Sequence, residues 1–198
     1  RYENGETLED KLDPIFWQCV PTPAHLRFPE AGKEAAMAED ERSYGAWYQR
    51  YPNRGALFVA ENTSCATFCQ HCQRTKSLDT TQAITNEKLE KGLHYLRENK
   101  NIEEVLITGG DALRIGKKKL GYILEELSKM PHMKSIRIAT RVPVTMPMGV
   151  TEELLETVDK AGNKYTKGPD KHIYFVTHCN HHHEITPEFE AAVKRIKD

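Results

Sequence analysis

The sequence predicts an α/β protein built as a partial, open, parallel β/α barrel of about four strand–helix units, preceded by an irregular or helical amino-terminal segment. Three observations predict it. From Gly55 onward, short apolar runs alternate with longer amphipathic stretches, the pattern of a parallel sheet with helical crossovers. The residues with chemical character fall just after the apolar runs, where parallel sheets place their ligands. The chain has 198 residues, and a closed barrel of eight units takes roughly 250.

Residues 1–54 are expected to form a lead-in and residues 55–198 the barrel domain. In the lead-in, Pro14, Pro21, Pro23 and Pro29 interrupt any long element, and residues 31–42 support one short polar helix. Residues 56–60 form the first apolar run. Residues 85–99 carry Leu89, Leu93 and Leu96 at helical spacing, with Thr85 or Asn86 as the cap. A second strand over 105–108 ends at Gly109 and Gly110, and a second helix over 117–130 has Leu120, Ile123, Leu124 and Leu127 as its buried stripe. A third strand follows over 135–139 and a third helix over 151–161. Residues 162–170, rich in Gly, Asn and Lys, read as a loop. A fourth strand over 172–177 leads to a helix that begins near Pro187, whose fixed φ suits a first helical position. There Phe189, Val193 and Ile196 recur at helical spacing without a Gly or Pro stop, and no Met opens the chain, so it is expected to be a piece of a longer protein.

Composition narrows the function classes. The 28 basic and 29 acidic residues are interspersed and leave a net charge of -1, so no field recruits nucleic acid or an anionic membrane. No run approaches the ~18 apolar residues of a membrane span, and no basic, apolar leader opens the sequence. These features predict a soluble, cytoplasmic protein with a small-molecule partner. With 38% hydrophobic residues its core is expected to need neighbours.

Cys65, Cys69 and Cys72 have the spacing C-x3-C-x2-C. Three thiolates so placed can hold three irons of an iron–sulfur cube and leave the fourth open to an exchangeable ligand. Structural zinc commonly takes four ligands from two pairs, yet Cys19 and Cys179 form no second pair, and His71 sits between two of the cysteines. Spacing therefore favours a cluster over zinc. Five cysteines and no secretory segment argue against disulfides. His178, His181, His182 and His183 invite the reading of a further metal site, but consecutive residues point in different directions and no carboxylate spacing supports a facial triad, so a second metal is not expected.

The cysteine loop after the first strand, joined to Gly109-Gly110-Asp111 after the second, resembles the radical S-adenosylmethionine superfamily. Asp13-Pro14, Val20-Pro21-Thr22, Arg50-Tyr51-Pro52, Gly109-Gly110-Asp111-Ala112-Leu113, the run from Arg137 to Pro143 and Thr177-His178-Cys179-Asn180-His181 resemble, more narrowly, its lysine 2,3-aminomutase family, in the same order along the chain. The resemblance implies that Cys65, Cys69 and Cys72 ligate a [4Fe-4S] cluster whose open iron is chelated by S-adenosylmethionine, the source of a 5'-deoxyadenosyl radical. It further implies pyridoxal phosphate, on which an amino group migrates from C2 to C3 of an amino-acid substrate.

The same resemblance assigns His71, Gly109, Gly110, Asp111, Arg141 and His178 to S-adenosylmethionine. Glycines let the backbone approach the methionyl group. Asp111 could accept from its ammonium or serve as a helix cap, and Arg141 could reach ribose or form a salt bridge on the barrel rim. Arg50, Tyr51 and Asn180 are assigned to pyridoxal phosphate, and Arg74 to the substrate carboxylate, for which a planar guanidinium is suited. The pyridoxal-anchoring lysine of the family lies beyond this chain. An external electron donor such as flavodoxin or ferredoxin and a homo-oligomeric full-length protein are implied as partners. Departures stand at Cys179, where the family has an aromatic, and at His182, where it has proline. Two other readings of the residues stay open: an enzyme of this scaffold that modifies a lysine on a protein partner, and a non-catalytic cysteine-ligated metal domain.

Overall fold

The computed structural model describes residues 13–20, 27, 39–60, 64–72, 84–165 and 171–198. A short helix α1 (Phe16–Cys19) precedes an antiparallel ribbon, β1 (Ser43–Tyr44) and β2 (Trp47–Tyr51). There follow β3 (Arg54–Phe58), α2 (Asn86–Glu98), β4 (Glu104–Thr108), α3 (Lys117–Ser128), β5 (Ser135–Ala139), α4 (Val142–Thr145), α5 (Glu152–Tyr165), β6 (His172–Val176) and α6 (Pro187–Lys197). The six strands form one open sheet in chain order. Strands β3 to β6 are parallel, with Gly55, Val105, Ile136 and Ile173 in one register row. The open parallel β/α architecture and its four strands are as the sequence predicts.

Alternation with period two gives the sheet two different faces. Leu57, Val105, Ile107, Ile136 and Ile138 are fully buried under the helices with Leu93, Leu96, Leu120, Ile123, Leu124 and Leu127. The other face carries Arg54, Glu104, Ser135, Arg137, His172 and Tyr174, partly or well exposed. Helices on one face and polar side chains on the other make this sheet a barrel wall rather than a two-sided layer. Local chemistry sets the helix starts. Thr85 accepts the Lys88 N–H at 3.2 Å, and Thr186 accepts the Phe189 N–H at 3.2 Å with Pro187 in the first helical position.

Two features go beyond the sequence reading. The ribbon adds two strands where no strand was expected. Trp47 is fully buried, and α2 closes on it at Gly92, where a Cβ would stand 3.1 Å from both the Trp47 nitrogen and a Leu57 methyl. The second is a correction: residues 162–165, read as loop, continue α5. Tyr165 is buried and its hydroxyl donates to the Met133 carbonyl at 2.9 Å. That anchor outweighs the ~1 kcal/mol helical penalty of Gly162. Residues 166–170 and most of the expected helix over 31–42 lie outside the described residues; residues 39–42 form a 3-10 turn. Among the described residues no helix is long and apolar enough to cross a membrane.

Because Trp47 joins the ribbon to α2, Trp47→Ala is expected to destabilise the protein by about 3–5 kcal/mol. Urea unfolding checks this, and a loss below about 1 kcal/mol would show that the ribbon is peripheral.

Candidate functional site

Four loops leave the carboxyl ends of β3, β4, β5 and β6 on the same edge of the sheet. The first passes close to the second: Gly110 N–H donates to the Ala60 carbonyl at 3.2 Å. Gly109 has φ +137°, and a Cβ there would lie 2.4 Å from the same carbonyl oxygen. A glycine is therefore required by backbone packing at this crossing. Beyond it, Cys65 and Cys69 are partly buried and Cys72 is exposed, with the Cys72 N–H donating to the Cys69 carbonyl at 3.0 Å. Helix α1 supports this loop. Gln70 N–H donates to Gln18 O at 2.7 Å, Gln70 Nε2 to Cys19 O at 3.3 Å, and Thr67 Oγ1 to Cys19 Sγ at 3.1 Å.

Asp111, 4% exposed, joins the loops after β4 and β5. Its Oδ1 accepts from the Leu113 N–H at 3.0 Å and the Thr140 hydroxyl at 2.7 Å, and its Oδ2 from the Arg141 N–H at 2.8 Å. The Arg141 guanidinium then reaches the other loops. Nη1 donates to Cys69 Sγ at 2.7 Å, Nε to the His178 carbonyl at 3.1 Å, and Nη2 to Gln18 Oε1 at 3.1 Å and to Glu184. The Arg141 and Glu184 side chains are 11% and 6% exposed. A pair this dry persists only where its remaining bonds are also made. Glu184 Oε2 makes them, accepting from the Asn180 N–H at 2.6 Å and the His181 N–H at 3.1 Å.

Burial pushes the Cys65 thiol up to about 11, helped by the Asp111 carboxylate and the neighbouring Cys72 and Cys69, and opposed by Arg114. Cys69 is also raised by burial, against the Arg141 guanidinium that stands on its sulfur. Burial holds His71 below its usual value, with Arg141 and His178 adding to the effect. Its ring packs 5.5 Å from that of His178, and its Nδ1 lies 3.4 Å from Asn180 Nδ2. The donor set near the loop is thus three thiols with two guanidiniums that favour thiolates. It fits a cube held by three cysteines with one iron left to a small ligand.

The structure brings together Cys65, Cys69, Cys72, His71, Gly109, Gly110, Asp111, Arg141, His178 and Asn180. Asp111 caps the 3-10 turn Ala112–Ile115, and Arg141 forms the rim salt bridge. Arg50 and Tyr51 stand elsewhere, on β2 at the amino end of β3, with the Arg54 guanidinium 4.5 Å over the Tyr51 ring. The length of β3, roughly 16 Å, separates them from the cysteine loop. Arg74 lies outside the described residues. Sequence reasoning missed Gln18, Cys19 and Glu184. The first two have no local signal, whereas Glu184 stands three residues after His181, a capping-box spacing that the structure realises.

Residues 62–170 match the model of the radical SAM superfamily, and the chain belongs to that superfamily, which implies a [4Fe-4S] cluster and S-adenosylmethionine. Within it, the chain is similar to 2,3-aminomutases. It is 33% identical to the glutamate 2,3-aminomutase of Clostridioides difficile over 95% of this chain and 42% of that protein. It is 32% identical to the L-lysine 2,3-aminomutase of Acetoanaerobium sticklandii over 96% of this chain and 44% of that protein. It is 34% identical to the putative L-lysine 2,3-aminomutase of Aquifex aeolicus, over 95% and 49%. The chain thus spans less than half the length of these relatives.

A thiol with its pKa raised stays protonated, and unreactive, at neutral pH. In protein stripped of iron, alkylation of Cys65 by iodoacetamide is expected to rise about tenfold per pH unit from pH 8 and to level only near 11. Peptide mass spectrometry reads the rate site by site. A plateau reached by pH 9 contradicts the burial argument.

Proposed function

We propose that the protein carrying this chain is an amino-acid 2,3-aminomutase acting on lysine, glutamate or a related α-amino acid, and that this chain supplies the part that initiates the radical. The observation that carries the proposal is the convergence of the C-x3-C-x2-C loop, the Gly109-Gly110 crossing and Arg141 on one edge of a parallel sheet, in a chain similar along nearly its whole length to enzymes of that name. When bound, the cluster and S-adenosylmethionine supply a 5'-deoxyadenosyl radical, and pyridoxal phosphate supplies a conjugated ring that stabilises an unpaired electron beside the migrating amino group.

The residues divide the work. Cys65, Cys69 and Cys72 hold the irons, and the Gly109-Gly110 backbone offers a wall without side chains to the methionyl group. Asp111 fixes Arg141: Oδ1 takes the Thr140 hydroxyl and Oδ2 the Arg141 N–H. His71, His178 and Asn180 form the mouth beside the cysteine loop. Cys72 is exposed, which leaves a short path for an electron from an external donor such as flavodoxin or ferredoxin. In this reading Arg74 pairs bidentately with the substrate carboxylate, and Arg50 and Tyr51, which stand the length of β3 away from the cysteine loop, are assigned to pyridoxal phosphate; the support for these three roles is family resemblance alone.

Anaerobic reconstitution with iron and sulfide, followed by electron paramagnetic resonance of the reduced protein, tests the initiating half. A [4Fe-4S] signal whose shape changes on adding S-adenosylmethionine is expected, and a stable zinc complex without a cluster would refute it. In the full-length protein supplied with pyridoxal phosphate, Arg74→Lys is expected to lower amino-acid turnover roughly 100-fold or more while reductive cleavage of S-adenosylmethionine is nearly unchanged. Equal loss of both rejects the carboxylate assignment.

A further inference from the structure

We propose that the turn after β6 is a second metal site, in which His181, His182 and His183 bind a borderline divalent ion such as zinc through imidazole nitrogens. Three consecutive side chains of an extended strand would alternate in direction, but here the chain folds into a 3-10 turn, His182–Glu184, with His181 as its cap. The three rings therefore meet: their centroids lie 4.2 Å apart for His181 and His182, 4.6 Å for His181 and His183, and 4.2 Å for His182 and His183. One ligand nitrogen from each lies within 4.8 Å of the other two, and among the described residues this is the group of three potential ligands so gathered. To reach the ~2.0–2.1 Å radius of a zinc–imidazole bond the rings would turn so that these nitrogens converge on one ion.

The backbone beneath the rings is fixed in advance. Glu184 takes the Asn180 and His181 N–H groups on one oxygen and faces Arg141 with the other, so the turn is bound to the most buried ion pair of the site. A backbone fixed in this way loses little freedom on binding. His182 and His183 are exposed and His181 is partly so, which gives an ion access. His181 Nδ1 accepts the His183 N–H at 3.2 Å, so His181 joins the ion by exchanging that hydrogen bond for a metal bond, and His182 and His183 are the primary ligands. Three neutral imidazoles without a carboxylate suit zinc, nickel or copper and disfavour calcium, magnesium and manganese. Water completes the shell, as it does in other three-ligand zinc sites. The ion would act as a staple on the loop that holds Glu184 against Arg141. The site uses none of the cluster cysteines, and it stands or falls apart from the aminomutase reading.

The test uses cluster-loaded protein under anaerobic conditions, so that Cys65, Cys69 and Cys72 are occupied. Zinc is titrated in competition with a chromogenic chelator, and the bound ion is examined by X-ray absorption at the zinc edge. About one zinc per chain at micromolar affinity or tighter is expected, with a nitrogen and oxygen shell near 2.0–2.1 Å and a higher thermal midpoint with zinc than without. The exposed variants His182→Gln and His183→Gln, which empty no core position, should each weaken binding roughly tenfold or more and remove the thermal shift. Three results would overturn the proposal: no binding at micromolar zinc, equal affinity in the double variant, or sulfur in the shell at about 2.3 Å.

Discussion

The site depends on one buried carboxylate. Asp111 is almost completely removed from solvent, where an ionised group without partners would be prohibitively costly. Its three hydrogen bonds solve that problem, each worth about 1.5–3 kcal/mol when the acceptor is charged. The solution has a structural consequence, because two of the donors, the Thr140 hydroxyl and the Arg141 amide, belong to the loop after β5. Solvating Asp111 therefore fixes the Arg141 backbone. From there a long, planar side chain spans to the cysteine loop, to the β6 loop and to α1. Each of the four strand-end loops is thus tied to its neighbours by a charged hydrogen bond or by the Gly109 crossing.

Strand register supplies the other constraint. A five-residue strand with period-two alternation must put every second residue on the inner wall, and here those residues are graded along the strand. At the amino end of β4, Glu104 pairs with Arg54 of its own row at 3.9 Å and with Arg137, one row higher beside Leu106, at 3.1 Å. Higher up stand Leu106, Thr108, Ala139 and Val176. The ion pairs are half-exposed and add little to stability. The buried aliphatic face under the helices supplies most of it, which frees the inner wall and the loops above it to carry groups chosen for chemistry.

How much of this was legible in the sequence follows from the range of each interaction. The strand at Ser135–Ala139 and the helices beginning at Asn86 and Lys117 are written in local periodicity and caps, and they stand where the pattern puts them. The ribbon was legible in principle: Trp47 to Tyr51 is rich in β-forming aromatics and ends at Pro52-Asn53, a turn signal, but the surrounding prolines masked it. The end of α5 was not legible, because the Tyr165 hydroxyl bond to Met133 is a tertiary contact that a local count of Gly and Asn cannot include. The cysteine spacing by itself singled out the loop after β3. Its supports did not announce themselves, since Gln18 meets Arg141 across 123 positions. The histidine run is a further case: consecutive side chains were expected to point apart, and in the 3-10 turn the rings of His181, His182 and His183 meet.

Glu184 connects the cysteine loop, through Arg141, to the histidine turn. One oxygen serves Arg141, whose guanidinium stands on Cys69, and the other serves the backbone of the histidine turn. A single carboxylate cannot change its position for one partner without changing it for the other. By linkage, an ion bound as proposed on the histidines would also favour the orientation in which Arg141 contacts Cys69, and ligand loading that drew Arg141 away from Glu184 would weaken the turn by the same free energy. Coupling of this kind needs no domain motion. It needs only that a buried charge has two anchors and that both anchors lie on loops of one sheet edge.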